Sequence, residues 1–295
     1  MSQTTSPSSG RTYGLVKVCA AWDIPRSSVY AVKARRAGPV RLPAKRGPKT
    51  PWSDAALTEH IRRVLGQSSF LGEGYRKAWA RLRVEGIRTS QPRVLRLMRA
   101  ASLLAPSRAR VVPQPTNHQG HITTDRPYQM WGTDATSCWT PEGVATVFLA
   151  VDHCTGECIG LHAARRGTRL EALEPIRQGV REHFGDYRAE IAQGLSLRHD
   201  HGSQFMSDAF QTELRFLGIT SSPAFVREPE TNGVSERFVK TLKEQLLWVQ
   251  NFETVEQLRT ALLAFKDRYN HGWLVQRHGY RTPAAVRTDL LSRAA

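Results

Sequence analysis

The stretch PETNGVSERF, residues 229–238, decides the fold of this 295-residue chain, because it ends a run of predicted strands and starts the helix that carries Glu236. Asp200 lies 36 positions earlier in the segment RHDHGSQ, and Asp134 lies in the segment WGTD. Three carboxylates that come close together raise one another's pKa unless cations neutralise them. Carboxylate oxygens are ligands that Mg²⁺ prefers. The pattern therefore predicts a cage for two divalent metal ions that acts on phosphodiester bonds.

Alternating apolar and polar residues predict that strands dominate from about residue 127. The predicted strands are residues 130–139, 144–152, 157–164, 195–199 and 219–223, and the predicted helices are residues 169–184, 207–217, 233–250 and 254–270. This order is that of a ribonuclease H-like α/β fold, a mixed five-stranded sheet with flanking helices. It puts Asp134 midway along the first strand, Asp200 just past the fourth and Glu236 in a late helix. Because the first and fourth strands are neighbours in such a sheet, the two aspartates can converge.

The net charge of +16 belongs entirely to the N-terminal part of the chain. Residues 1–125 hold 22 Lys and Arg against 6 Asp and Glu, whereas residues 126–295 hold 20 of each class. A one-sided excess of this size favours a polyanion as the ligand of the first part, with the chemistry left to the second. A solvated basic surface is the alternative.

Small all-α modules of helix-turn-helix type are predicted to precede the sheet. Residues 1–38 have the spacing of a helix-turn-helix, although a plain helical hairpin remains open. A linker follows at 39–52, rich in Pro and Gly, and its Lys45, Arg46 and Lys49 are candidate DNA contacts. Residues 53–105 are predicted to form a helical DNA-binding module, residues 106–126 a second linker, and residues 127–292 the catalytic domain.

The last helix of the 53–105 module has a basic face. Ser90 is its predicted N-cap, and Pro92 lies in its first turn. Arg93, Arg96 and Arg99 recur every three residues, and no acidic residue is expected to pair with them. This pattern favours contact with DNA over a solvated helix face.

The chain resembles the OrfB-type transposases of the bacterial insertion-sequence family numbered three, which have a retroviral-integrase-like DDE core. The resemblance covers most of residues 50–290. It depends on the segments WGTD, DHGSQ and NGVSER around the three acids, on YN at 269–270, on TP at 282–283 and on GYRK at 74–77. It implies that Asp134, Asp200 and Glu236 are the catalytic and metal-binding residues. It also implies a DNA-contacting role for Lys243, seven positions after the glutamate.

The resemblance further implies a polynucleotidyl transferase that cleaves element ends and joins the freed 3′-hydroxyl to target DNA, through a circular intermediate. Two Mg²⁺ ions, for which Mn²⁺ can substitute, would serve each active site. The expected partners are double-stranded DNA at terminal inverted repeats and at the target, further copies of the chain in a dimer or higher oligomer on that DNA, and the product of an upstream reading frame as a fusion partner. Four scattered cysteines and the lack of an apolar leader predict a cytoplasmic protein.

Several neighbours of the acids have open interpretations. Arg237, Lys240, Ser203 and Gln204 are candidate DNA contacts, and a role of Ser203 and Gln204 in capping the following helix is the open alternative. His199 and His201 favour packing or support of Asp200, since imidazole is a poor partner for Mg²⁺. Asp152 is expected to start a turn that ends at Gly156. Two other functions remain open: a hydrolytic nuclease of the same fold, and a DNA-binding repressor with an inactive core.

Overall fold

The computed structural model describes residues 2–37, 51–106, 124–224 and 233–294. The chain divides into two compact units, Met1–Pro51 and Trp52–Ala295. Lys45, Arg46 and Lys49 of the predicted basic linker lie outside the described residues, as do most of the linker at 106–126 and residues 225–232 ahead of Glu236. Among the helices that are described, none has both the length and the apolar character to cross a membrane.

The first unit consists of two short helices. Helix α1 spans Gly14–Ala21 and α2 spans Arg26–Ala37. The break at Asp23, whose φ is 52°, and the proline that follows end the first helix where the sequence predicts. Helix α1 buries Cys19, and no described residue of α2 is buried. The helices are confirmed, whereas the choice between helix-turn-helix and helical hairpin stays a prediction.

Three helices form the first part of the second unit, hereafter the helical module (residues 52–106). They are α3 at Asp54–Gly66, α4 at Tyr75–Val84 and α5 at Gln91–Ala100. Ser90 caps α5 as predicted, because its hydroxyl oxygen accepts from the amide of Arg93 at 3.4 Å. Leu57, Ile61 and Val94 are fully or almost fully buried between the helices. The apolar face of each helix therefore builds one small core.

The expectation that no acid pairs with the basic face of α5 is wrong. Arg93 and Arg96 each lie 2.7 Å from a carboxylate oxygen of Asp54. Arg93 also donates to the backbone carbonyl of Trp52 at 2.8 Å. Asp54 is the first residue of α3 and is separated from these arginines by about 40 positions. Periodicity within α5 carries no information on a partner from another helix, which is why the pairing escaped the sequence.

A mixed five-stranded sheet forms the centre of the second unit, as predicted. Its strands are β1 at Met130–Thr140, β2 at Gly143–Asp152, β3 at Cys158–Ala164, β4 at Ser196–His199 and β5 at Thr220–Pro223. Their order across the sheet is β3-β2-β1-β4-β5. Strands β1, β2 and β3 form an antiparallel meander, and β4 is parallel to both β1 and β5. This is the ribonuclease H-like arrangement, with β1 next to β4.

Helices cover both faces of the sheet. They are α6 at Arg169–Phe184, α7 at Ser203–Met206, α8 at Asp208–Leu217, α9 at Gly233–Leu242, α10 at Val255–Gly272 and α11 at Pro283–Ala294. One core lies between the sheet and α9 with α10, and the other lies between the sheet and α6 with α8. A Cβ on Gly160 would lie 2.2 Å from the carbonyl oxygen of Pro175, so β3 approaches α6 closely only because this residue is glycine. Helices α7 and α11 were not predicted.

The helix that carries Glu236 does not run unbroken to residue 250 as predicted. It ends at Leu242 and continues as one π-helical turn, Lys243–Leu247, in which the amide of Trp248 donates to the carbonyl of Lys243 at 2.9 Å. Gln245, Leu246 and Leu247 are all buried. Three consecutive inward side chains do not fit the 3.6-residue period of an α-helix, and the wider turn accommodates them.

Candidate active site

Asp134 lies in the middle of β1, half-buried, where the sequence predicts it. Its Oδ1 accepts a hydrogen bond from the amide of Ala135 at 2.8 Å. Burial raises the pKa of Asp134 to about 6, and the charges of Asp200 and Glu236 raise it as well. The Ala135 hydrogen bond and the charge of Lys243 act in the opposite direction. Asp134 is thus within electrostatic reach of both other predicted acids and of the predicted lysine.

Asp200 directly follows β4 and is exposed. The parallel register pairs Met130 with Ser196 and Gly132 with Arg198, and the same offset continued by two residues brings Asp200 beside Asp134. The Oδ1 of Asp200 accepts from the amide of Gly202 at 2.8 Å. This hydrogen bond fixes the carboxylate at the turn between β4 and α7.

Glu236 lies in the first turn of α9, as predicted, and its side chain is exposed. The neighbours Ser235 and Phe238 are buried, so α9 is held against the sheet with the face of Glu236 outward. Lys243 follows at the start of the π-turn. The charges of Asp200, Glu236 and Lys243 all act on the carboxylate of Asp134. Among the described residues, however, no three His, Cys, Asp or Glu side chains lie close enough together to hold a metal ion. The donor set itself, carboxylate oxygens only, is the type that suits Mg²⁺.

The side chains around the acids have supporting roles. His199 is fully buried; its Nδ1–H donates to the carbonyl of Asp200 at 2.7 Å, and its Nε2 accepts from the hydroxyl of Ser221 at 2.9 Å. Burial lowers the pKa of His199, which favours this neutral form. His199 therefore holds the backbone of Asp200 against β5, in line with the sequence prediction. His201 is exposed.

Asp152 starts the turn that the sequence predicts. Its carbonyl accepts from the amide of Gly156 at 2.9 Å, and its carboxylate accepts from the amides of Thr155 at 2.8 Å and Tyr128 at 2.9 Å. The side chain is buried. These bonds engage the carboxylate in the fold, so Asp152 is a structural acid.

The other predicted DNA contacts differ in exposure. Ser203, Arg237 and Lys240 are exposed near the acids, and Gln204 is half-buried beside Gly202. The cap of α8 is Ser207, whose hydroxyl oxygen accepts from the amide of Phe210 at 3.4 Å, so Ser203 and Gln204 do not cap that helix. On α5, Arg99 is exposed, whereas Arg93 and Arg96 are engaged by Asp54.

Sequence reasoning missed two amides that join distant segments. Gln245 of the π-turn accepts from the amide of Leu71 at 2.8 Å and donates to its carbonyl at 3.0 Å, which ties the helical module to the element that begins with Lys243. Asn270 of α10 bonds in the same way to both backbone groups of Cys158 on β3, at 2.8 and 2.9 Å. A buried amide in a helix otherwise apolar on that face is a signal for such a role, but it does not name the partner.

Two family models match this part of the chain. The model of an integrase core domain matches residues 124–229, and a second integrase core domain model matches residues 217–283. Together they span more than half of the chain and include Asp134, Asp200 and Glu236. They also include Lys243.

Among known proteins, the transposase InsD for insertion element IS2 of Escherichia coli is 27% identical over 254 residues, which cover 79% of this chain and 81% of that protein. Two solved structures are also similar. The catalytic core domain of BIV integrase is 23% identical, with a TM-score of 0.42, and the match covers 55% of this chain and 95% of that chain. A chain in the structure of the simian T-cell lymphotropic virus intasome in complex with PP2A regulatory subunit B56 gamma is 20% identical, with a TM-score of 0.46, over 80% of this chain and 74% of that chain.

Proposed function

We propose that this chain, whose residues 124–283 belong to the integrase core domain family, is the DDE transposase of an insertion sequence. It is a polynucleotidyl transferase that cuts DNA at the ends of its element and joins the 3′-hydroxyl to another phosphodiester. Similarity to an insertion-sequence transposase over 81% of that protein's length supports this function. The observation that carries the proposed site is the parallel register of β1 and β4, which brings Asp200 beside Asp134, while Glu236 lies in the first turn of α9.

In this proposal Asp134, Asp200 and Glu236 hold two Mg²⁺ ions, for which Mn²⁺ can substitute. When bound, such ions activate the attacking hydroxyl or water and stabilise the leaving oxygen. The three carboxylates repel one another without cations, and this repulsion favours divalent metal over monovalent counterions. The amides of Ala135 and Gly202 orient the two aspartates, and His199 holds the backbone of Asp200 in line with them.

Lys243 is proposed to bind a phosphate next to the scissile bond, because its charge already acts on Asp134 across the same site. Three exposed side chains and one half-buried amide would extend this contact along the strand: Arg237, Lys240 and Ser203, with Gln204. The substrate would be double-stranded DNA, at the element ends and at the target. Two ends must meet in one complex before they are joined, so the active form would be a dimer or a larger assembly, with an upstream reading-frame product as a possible fusion partner.

The test uses the full chain, Mg²⁺ and a plasmid that carries the DNA flanking the gene. We expect the wild type to nick at the element ends and to form joined products. Asp134→Asn, Asp200→Asn and Glu236→Gln each remove one ligand charge with little change of shape, and each should lower both reactions by about 1,000-fold or more. The matched control is Asp186→Asn, an exposed aspartate 3.6 Å from Arg188, which should retain wild-type rates.

The products separate the remaining alternatives. Nicked DNA without joined products would identify a hydrolytic nuclease of the same fold. DNA binding with neither product would identify a repressor with an inactive core. Near-wild-type activity of any one triad variant would remove that residue from the site.

A further inference from the structure

The helical module (residues 52–106) neutralises every one of its acidic residues. Asp54 pairs with Arg93 and Arg96, Glu59 pairs with Arg62, and Glu85 pairs with Arg63. Glu73 is bound by Arg81 at 2.5 Å and lies 3.8 Å from the ammonium of Lys77. These ion pairs account for six of the ten Lys and Arg side chains of the module. The remaining four are Arg76, Arg83, Arg88 and Arg99, which form no ion pair within the described part of the chain.

Two of these four arginines come together at the connection between α4 and α5. Arg83, near the end of α4, and Arg88, in the loop before α5, line one open cavity of about 320 Å³ with Thr89. Both arginines are exposed, so their charge faces solvent. The hydroxyl oxygen of Thr89 is covered and has no hydrogen-bond partner among the described residues. Two cations that line one cavity suit an anion.

Trp79 contacts both segments that line this cavity. Its ring lies under the guanidinium of Arg83, with Cζ 4.9 Å from the ring centroid. Its indole N–H donates to the carbonyl of Thr89 at 2.8 Å. One aromatic side chain thus fixes both an arginine on α4 and the loop that carries Arg88. The ring also packs edge to face against Tyr280, with centroids 5.8 Å apart.

We infer that Arg83, Arg88 and Thr89 form a binding site for a backbone phosphate of DNA. A guanidinium donates two parallel hydrogen bonds to phosphate oxygens, and stacking on Trp79 orders the first guanidinium before the ligand arrives. A backbone phosphate is common to all sequences, so the site adds affinity and register rather than sequence preference. The inference rests on the proposed function, since it assumes that the chain acts on DNA.

This site differs from the basic face of α5 that the sequence favours. Arg93 and Arg96 share one carboxylate, and binding a phosphate would require them to leave Asp54. Arg83 and Arg88 have no ion pair to give up among the described residues. Phosphate binding therefore breaks ion pairs at Arg93 and Arg96 but none at the cavity. The free energy of DNA binding should depend more on Arg83 and Arg88 than on these two arginines of α5.

The experiment measures binding of the full chain to a fluorescein-labelled duplex of mixed sequence across a series of KCl concentrations. We expect the pair Arg83→Ala, Arg88→Ala to bind about 10-fold more weakly and to lower the slope of log K against log[KCl] by about 0.9, because the two arginines neutralise one phosphate and each neutralised phosphate contributes about 0.9. The matched control is the pair Arg62→Ala, Arg96→Ala, which removes the same charge from ion-paired arginines of the same module. Its slope should stay within about 0.5 of the wild type.

Two further pairs protect the test against a folding defect. Arg83→Lys with Arg88→Lys keeps both charges and should keep the wild-type slope at reduced affinity. Arg83→Gln with Arg88→Gln removes the charges but keeps most of each side-chain stem, and should behave as the alanine pair. Equal losses in the cavity pair and the control pair would overturn the site and leave DNA binding in place. A wild type that binds no DNA at any salt concentration would overturn the proposed function as well.

Discussion

The acidic residues of the helical module are paired with basic side chains, whereas the acidic residues of the candidate active site lie near one another. In the module, Glu73 is 1% exposed and is bound by Arg81 through two hydrogen bonds of 2.5 and 2.8 Å. In the middle of β1, burial and two neighbouring acids raise the pKa of Asp134 to about 6. Glu73 is therefore paired with a positive charge, whereas the acids that act on Asp134 carry the same negative charge as Asp134.

Paired acids such as Glu73 stabilise the fold, whereas clustered acids such as Asp134 destabilise it. A carboxylate that is paired and fully hydrogen-bonded compensates for its own burial. A carboxylate gathered with others makes the fold less stable at neutral pH and gains only when a ligand supplies positive charge. Removing one acid from each region should therefore change the free energy of unfolding with opposite signs.

The largest expected effect is in the module. Glu73→Ala should lower the free energy of unfolding by about 3–5 kcal/mol, because it leaves Arg81 partly buried without its partner. Urea unfolding of the full chain, followed by tryptophan fluorescence, measures this change. The control Glu59→Ala removes an exposed partner of Arg62 and should cost less than about 1 kcal/mol. Equal losses for the two variants would mean that burial of the pair does not decide its contribution.

A smaller change of opposite sign is expected at Asp134. Because its pKa is raised, the wild type loses stability as pH rises from the ordinary value of 3.8 through about 6. Asp134→Asn cannot ionise, so in EDTA at pH 8 it should be more stable than the wild type by about 3 kcal/mol. Near pH 4 both side chains are neutral and the difference should vanish.

Two further measurements sharpen that result. Mg²⁺ should raise the melting temperature of the wild type at pH 8 but not that of Asp134→Asn, since the metal requires the ionised carboxylate. Asp186→Asn, an exposed aspartate, should match the wild type at every pH. If Asp134→Asn is less stable than the wild type at pH 8 in EDTA, the ionised carboxylate of Asp134 stabilises the fold, as that of Glu73 does.

The regions also differ in how far the sequence predicts them. Strand periodicity was enough for the sheet, and the segments around Asp134, Asp200 and Glu236 predicted their positions on β1, after β4 and in α9. These are properties of single elements and of their order. Strand adjacency then follows from the fold class, so the approach of the two aspartates was predictable.

Contacts between elements that are distant in the chain were not predictable in the same way. Asp54 meets the arginines of α5 across about 40 residues, and Gln245 meets Leu71 across 174. Each partner choice depends on how two helices dock, and no pattern within either helix encodes it. The π-turn has the same origin, since it forms where Gln245 must point inward together with Leu246 and Leu247.

The smallest expected effect tests whether pairing with Asp54 is what prevents Arg93 and Arg96 of α5 from binding DNA. Hydrogen bonds from Arg96 and then Arg93 lower the pKa of Asp54, so the pair persists at neutral pH. Asp54→Asn removes that charge and releases both arginines, and it should raise affinity for mixed-sequence duplex DNA by about twofold to fivefold, with a steeper salt dependence. Glu59→Gln changes the net charge equally but releases Arg62 on α3 instead.

A gain in Asp54→Asn alone would mean that the α5 face reaches DNA once Asp54 no longer holds it. Equal gains in both variants would trace the effect to net charge, which acts at long range and is screened alike at both positions. No gain in either would leave the cavity of Arg83 and Arg88 as the phosphate contact of the module and remove the α5 face from the DNA interface.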